Sequence, residues 1–310
     1  MTEMSWGVKP LLVNPYEKVT HKLLTTAAQD NGDVLHAKVR LADVVDTTSY
    51  TGRKKEYALM AHLDFLMVDA ETSFPRFAVE FDGKQHWSDP ATKERDRLKD
   101  TLCEEAELPL LRITSEYIRS QGPWTVLNYV IEGFYHSLAF LKEQESGHIP
   151  WDEPHDFGNV ITTDGNSRLL FNTLDAPARM RLLELHRSDL LPVFSPDLYL
   201  TKNVEEGSVE AHAFMAVAVD RYLTGRARLR DCRFQGVSPY ETAEQLAVIE
   251  LADLAERWSK NEPVACDGAA LAKSMQEVQR SIDSGGFVSC STGGGLRAGG
   301  PSPATITVRR

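Results

Sequence analysis

The feature that most constrains this chain is the run from His62 to Trp87, HLDFLMVDAETSFPRFAVEFDGKQHW, where two short apolar segments each carry carboxylates. Their Val, Phe, Leu and Met content, with Ala70–Arg76 and its Pro75 between them, predicts two strands joined by a hairpin-like link. Strand side chains alternate across faces, so Glu80 and Asp82 share one face while Val79 and Phe81 take the other. If the strands pair around Glu71–Phe74, Asp64 reaches the same end. Acids in a half-buried strand are costly without a partner. Three convergent carboxylates oppose one another's ionisation, and a hard divalent cation is the simplest partner. The pattern therefore predicts a Mg²⁺ site, with Mn²⁺ as a substitute, built from Asp64, Glu80 and Asp82. Lys84 and His86 lie just beyond Gly83, where either could position water, donate to a phosphate or protonate a leaving group. The plainer alternatives are Asp64 as a strand cap or partner of Arg112, Lys84 as a solvated residue after the turn, and His86 packed on Trp87.

Around this core the chain reads α-β-β-β-α-β-α. Asn14 as N-cap, Pro15 at the first helical position and the stripe Val19, Leu23, Leu24 predict a helix over 14–29, ended by Asn31-Gly32. DVLHAKVRLADVV reads as a strand and TTSYTGRKKEY as an exposed polar loop. DPATKERDRLKDTLCEEAE has helical spacing, with Leu98, Leu102 and Ala106 on one face. LPLLRIT reads as a buried strand and 123–144 as an amphipathic helix. These elements predict an α/β domain over 1–146, followed by a linker over 147–157. A mainly helical domain over 158–284 is expected next, with helices in DAPARMRLLELHRSDLL, SVEAHAFMAVAVDRYLTG and YETAEQLAVIELADLAERWS. The Gly- and Ser-rich tail, 285–310, is expected to stay mobile.

Composition excludes some functions. A formal net charge of −11 over 310 residues argues against coating nucleic acid by charge alone, though not against a nucleic-acid enzyme with a local basic rim. No apolar run nears the roughly 18 residues of a membrane span. The N-terminus has an acid where a signal peptide is basic, so the expected location is cytoplasmic. Cys103, Cys232, Cys266 and Cys290 have no metal-ribbon spacing. Arg221, Arg226, Arg228, Arg230 and Arg233 form either a phosphate-binding patch or a basic face paired with Asp220 and Asp231.

The segments KVRLADVV, HLDFLMVD, AVEFDGKQH, RDRLKD and LPLLRI, in that order, resemble the family called domain of unknown function 2726. The layout Asp64-x15-Glu80-x-Asp82 is similar to the wider PD-(D/E)XK nucleases, whose relatives include the very-short-patch-repair endonucleases. The resemblance spans about Asn14 to Tyr117. It implies a restriction-endonuclease-like mixed sheet flanked by helices, and Mg²⁺-dependent hydrolysis of phosphodiesters. The implied enzyme is a DNA endonuclease or nickase serving DNA processing or defence, with RNA as the other substrate. It makes Asp64 and Glu80 metal ligands, Glu17 and Asp96 supporting acids, and Arg95, Arg97 and Arg112 phosphate-facing or bracing residues. Asp82 stands where those nucleases carry a catalytic lysine, so Lys84 or His86 would have to replace it. The rival reading is a nuclease-fold module without chemistry that binds nucleic acid or a protein partner. The C-terminal half is the expected contact for a partner or a second copy.

Overall fold

The first helix begins and ends where local chemistry directs. Asn14 accepts from the Tyr16 amide at 3.0 Å, Pro15 opens the helix, and Gly32 closes it at φ +70°. The computed structural model describes residues 10–12, 14–83, 90–155, 157–163, 169–203, 207–230, 234 and 237–293. Its contacts divide the chain into two units, Met1–Ile118 with Arg233–Gln235, and Arg119–Cys232 with Gly236–Arg310.

The first unit runs α1 (Pro15–Asn31), β1 (Asp33–Arg40), α2 (Gly52–Met60), β2 (His62–Asp69), β3 (Pro75–Phe81), α3 (Pro90–Glu105) and β4 (Leu110–Ile113). Its sheet has the order β1-β2-β3-β4; β1, β2 and β3 are antiparallel and β4 runs parallel to β3. One face packs Leu66 and Ala78 with Leu102, Cys103 and Leu108. On α1, Tyr16 stacks on Phe81 with centroids 5.6 Å apart. The segment expected as an exposed loop, 47–57, contains the first six residues of α2. Its three cations, Arg53, Lys54 and Lys55, sit at the unfavourable end of the helix dipole, so local signals oppose a helix there. Packing overrides them, because Ala58 is fully buried among Leu41, Leu63 and Leu102.

The second unit differs from the expected mainly helical domain. It begins with the hairpin β5 (Ser120–Gln121) and β6 (Trp124–Thr125), then α4 (Val126–Glu145), the helix expected to close the first domain near residue 146. That helix groups with the second unit, where the Tyr129 hydroxyl donates to Gln245 at 2.7 Å. The hairpin β7 (Asn159–Thr163) and β8 (Leu169–Thr173) and the expected helix α5 (Ala176–Arg187) follow. The remaining elements are β9 (Asp197–Asn203), β10 (Ser208–Ala218), β11 (Arg221–Arg230), α6 (Pro239–Ser259), α7 (Gly268–Ser281) and β12 (Phe287–Ser291). The strands form one antiparallel sheet in the order β11-β10-β9-β12.

Two expectations are corrected here. SVEAHAFMAVAVDRYLTG is not a helix; it is β10, a turn through Asp220 at φ +52°, and the start of β11. Both faces of β10 are covered, by α6 and by the α7 residues Leu271, Met275 and Val278, so the apolar run shows no alternation. The tail expected to be mobile supplies β12, which pairs with β9. Among the described residues no helix is long and apolar enough to cross a membrane.

Gly225 on β11 shows how closely α6 sits. A Cβ there would collide with the Ala247 carbonyl oxygen and lie 3.0 Å from the Leu251 amide nitrogen. Gly225→Ala should therefore cost about 1–3 kcal/mol of stability in urea denaturation, since backbone atoms cannot yield as a side chain can.

Candidate functional site

The site begins with the β2–β3 ladder. Phe65 pairs with Val79 and Leu66 with Ala78, which sets Asp64 opposite Glu80 on the face covered by α3. The Asp64 amide donates to Glu80 Oε1 at 3.0 Å, and the Phe81 amide donates to Asp64 Oδ2 at 2.9 Å. Each acid is thus oriented by its neighbour's strand.

Each acid also has its own lysine. Lys99, on the inner face of α3, donates to Glu80 Oε2 at 2.6 Å and to the His62 carbonyl at 2.8 Å. Glu80 is 7% exposed and Lys99 8%. Burial pushes the Glu80 carboxyl above its usual range, against the pull of Lys99. Lys38, from β1, lies 2.5 Å from Asp64 Oδ1 and 3.3 Å from Glu17 Oε1. Burial alone would lower its amine, but the hydrogen bonds and charges of Asp64 and Glu17 outweigh that and hold it raised. Glu17 reaches this place because the Tyr16–Phe81 stack lays the first turn of α1 over the end of β3.

Asp82 belongs to an adjoining cluster. Arg112, which pairs with Glu80 in the parallel β3–β4 ladder, lies 2.9 Å from Asp82 Oδ1, 2.8 Å from Asp100 Oδ1 and 3.5 Å from Asp96 Oδ1. Burial disfavours its charge, but Asp82, Asp100 and Asp96 more than offset this and raise it. Tyr57 on α2 senses both clusters: burial, then the charges of Glu80 and Asp96, pushes its hydroxyl up to about 12.

These observations locate the expected residues. Glu17, Asp64 and Glu80 come together through Lys38 and a backbone hydrogen bond. Asp82 and Asp96 join on Arg112, which is a bracing residue here. Arg95 and Arg97 lie on the exposed side of α3, with Arg97 3.2 Å from Glu94 and Arg95 donating to Thr92 at 3.3 Å. Lys84 and His86 lie outside the described residues. In the second unit Arg226 pairs with Glu210 and Glu277 and Arg221 with Asp220, in line with the paired-face alternative for those arginines; Arg233 is not described. Lys38, Lys99 and Asp100 were missed. Lys99 had a readable signal, because it precedes Leu102 and Cys103 by three and four residues on the buried helix stripe. Lys38 had none.

Residues 9–122 match the family described as Protein of unknown function (DUF2726). No curated protein and no solved structure gives a significant match to the chain. The DUF2726 segment ends close to the boundary of the first unit at Ile118 and holds both ionic clusters.

Among the described residues, no three Asp, Glu, His or Cys side chains are grouped to hold a metal ion. The donor chemistry of the DUF2726 segment nevertheless suits magnesium, which commonly takes one or two carboxylates and fills its shell with water and substrate phosphate. Asp64 and Glu80 are the two carboxylates that the β2–β3 ladder sets opposite each other, and both are engaged by lysines.

Two variants probe this arrangement. Lys99→Met strands a buried carboxylate and should cost about 3–5 kcal/mol near neutral pH. Glu80 is an acid with a raised folded value, so the penalty is absent below the ordinary carboxylate range and grows as pH rises through it. Urea titrations at pH 4 and 7.5 should show the smaller loss at pH 4. Lys38 holds φ +56° within β1, a region that costs a non-glycine residue about 1–2 kcal/mol. Thermal melts should therefore find Lys38→Gly more stable than Lys38→Ala by about 1 kcal/mol.

Proposed function

We propose that the DUF2726 segment is a Mg²⁺-dependent nuclease of restriction-endonuclease-like fold that hydrolyses phosphodiester bonds in DNA. The order α1-β1-β2-β3-α3-β4, with a single parallel pair at the end, suits that fold; α2 is an insertion between β1 and β2. The observation that carries the reading is the pairing of Asp64 with Glu80 across β2 and β3, each acid fixed by a backbone N–H and a lysine.

Magnesium held by Asp64 and Glu80 would lower the pKa of a bound water and neutralise charge developing on the phosphoryl oxygens. The protein's own groups do the positioning. Lys99 opposes the upward push of burial on the Glu80 carboxyl and points it at β2. The Phe81 amide fixes one Asp64 oxygen, and Arg112 restrains Asp82 beside the end of β3. Hydrolysis joins a water oxygen to phosphorus and breaks the P–O ester bond, and the departing oxygen takes up a proton. His86 and Lys84 are the candidates to deliver it. A cytoplasmic role in DNA processing or defence, and a second unit that selects substrate, a protein partner or another copy, belong to the same proposal.

A non-catalytic nucleic-acid-binding module is the second reading. It is favoured by one observation: the carboxylate oxygens of Asp64 and Glu80 are already satisfied by lysines and backbone amides.

A supercoiled-plasmid assay with Mg²⁺ or Mn²⁺ separates the two. Nicking by the wild type should fall at least about 100-fold in Asp64→Asn and in Glu80→Gln, the order expected when transition-state charge stabilisation is lost. Equal cutting by all three proteins would refute the site. Gel retardation of DNA without cutting would establish the binding module instead.

A further inference from the structure

Lys38 is the one non-glycine residue with positive φ inside a strand among the described residues. The others with positive φ, Ser73, Glu107, Asp189, Asp220 and Asn261, lie in turns and links. The β1–β2 ladder is broken at the same point, pairing Ala37 with Phe65 and Val39 with Leu63 but omitting Lys38 and Asp64. A strained backbone persists where its surroundings over-determine it, and such strain gathers at functional sites. What it achieves here is placement of an ammonium between Asp64 and Glu17, at 2.5 and 3.3 Å.

The two lysines of the site differ in availability. The Lys99 side chain is 10% exposed, with its ammonium held at 2.6 and 2.8 Å by an acid and a carbonyl. The Lys38 side chain is 26% exposed, and its ammonium ends on the carboxylates of Asp64 and Glu17. An ammonium has three donors, and its compact charge rotates readily between oxygen acceptors. Asp82, two residues after Glu80, is held apart from the Asp64–Glu80 pair by Arg112 at 2.9 Å.

We propose that Lys38 is the catalytic lysine of this site, donating hydrogen bonds from its ammonium to a non-bridging oxygen of the scissile phosphodiester. This rests on the nuclease reading and extends it, bringing the positive charge from β1 rather than from β3. Lys38 keeps its proton and forms no covalent bond; its strained backbone holds the ammonium beside Asp64 before substrate arrives.

The test compares wild type with Lys38→Ala, Lys38→Gly and Lys38→Arg, each checked for a cooperative thermal melt. Single-turnover cleavage of a duplex in Mg²⁺ gives the rate. Fluorescence anisotropy of the same duplex in Ca²⁺, as a function of KCl, gives a readout independent of cleavage. The expected result is a rate loss of about 100-fold or more in the Ala and Gly variants. The slope of log K against log salt should fall by about one, as for a lost phosphate contact. Lys38→Arg should restore the slope. Because glycine accommodates positive φ, loss in the Gly variant cannot be ascribed to an unfolded strand. If wild type cuts and the Ala and Gly variants cut within about threefold of it, Lys38 is not the catalytic lysine, while the nuclease reading stands. A large rate loss with an unchanged salt slope would make Lys38 a residue that only positions Asp64, and would overturn the contact. If wild type cuts nothing in Mg²⁺ or Mn²⁺, the nuclease reading fails and this inference falls with it.

Discussion

The burial of Glu80 is the constraint on which the first unit depends. An ionised acid at 7% exposure in a central strand is costly without a cation, and the cation must arrive from a rigid element. Lys99 meets that need from α3, which fixes the rotation of the helix: its buried face must include a charged residue as well as Leu102 and Cys103. By bonding the His62 carbonyl as well, Lys99 ties α3 to the start of β2. Glu80 passes the constraint on through its second oxygen, which takes the Asp64 amide. One buried charge therefore sets the relation between β2, β3 and α3.

From that pair the ionic network extends in two directions. Toward β1 and α1 it runs through Asp64 to Lys38 and Glu17, and exposure rises from Glu80 through Asp64 to Lys38 before falling again at Glu17. Toward β4 it meets Arg112, which gathers Asp82, Asp96 and Asp100. A low local dielectric strengthens such alternating charges when all are paired and penalises any left alone. The gradient matters for function. Deeply buried members are suited to holding geometry, and the more accessible Lys38 end is suited to exchanging partners. At the far end of β1, Arg76 bridges Asp33 and Asp69 and pins the strands where no such exchange is needed.

Much of this was legible because it is local or periodic. The caps of α1 are residue-type choices within one turn. The alternation of β3 puts Glu80 on a defined face, and the hairpin link puts Asp64 at the same end. The second unit was harder. β10 is covered on both faces, so its period-two signal vanishes and its alanines suggest helix. The reading of α2 failed for the opposite reason, since its basic start opposes a helix that buried Ala58 nonetheless requires.

By itself the sequence determined the periodicities, the caps and the presence of acids in apolar strands, because these depend on spacing along the chain. Only the tertiary structure decided which charges meet. Glu80 and Lys99 lie on separate elements, as do Asp64 and Lys38, and an ion pair is a property of distance rather than of sequence separation. The separation of Asp82 from the other two acids has the same origin. All three lie on one face by alternation, but β3 ends at Phe81, and the guanidinium of Arg112 on β4 draws Asp82 into its own cluster.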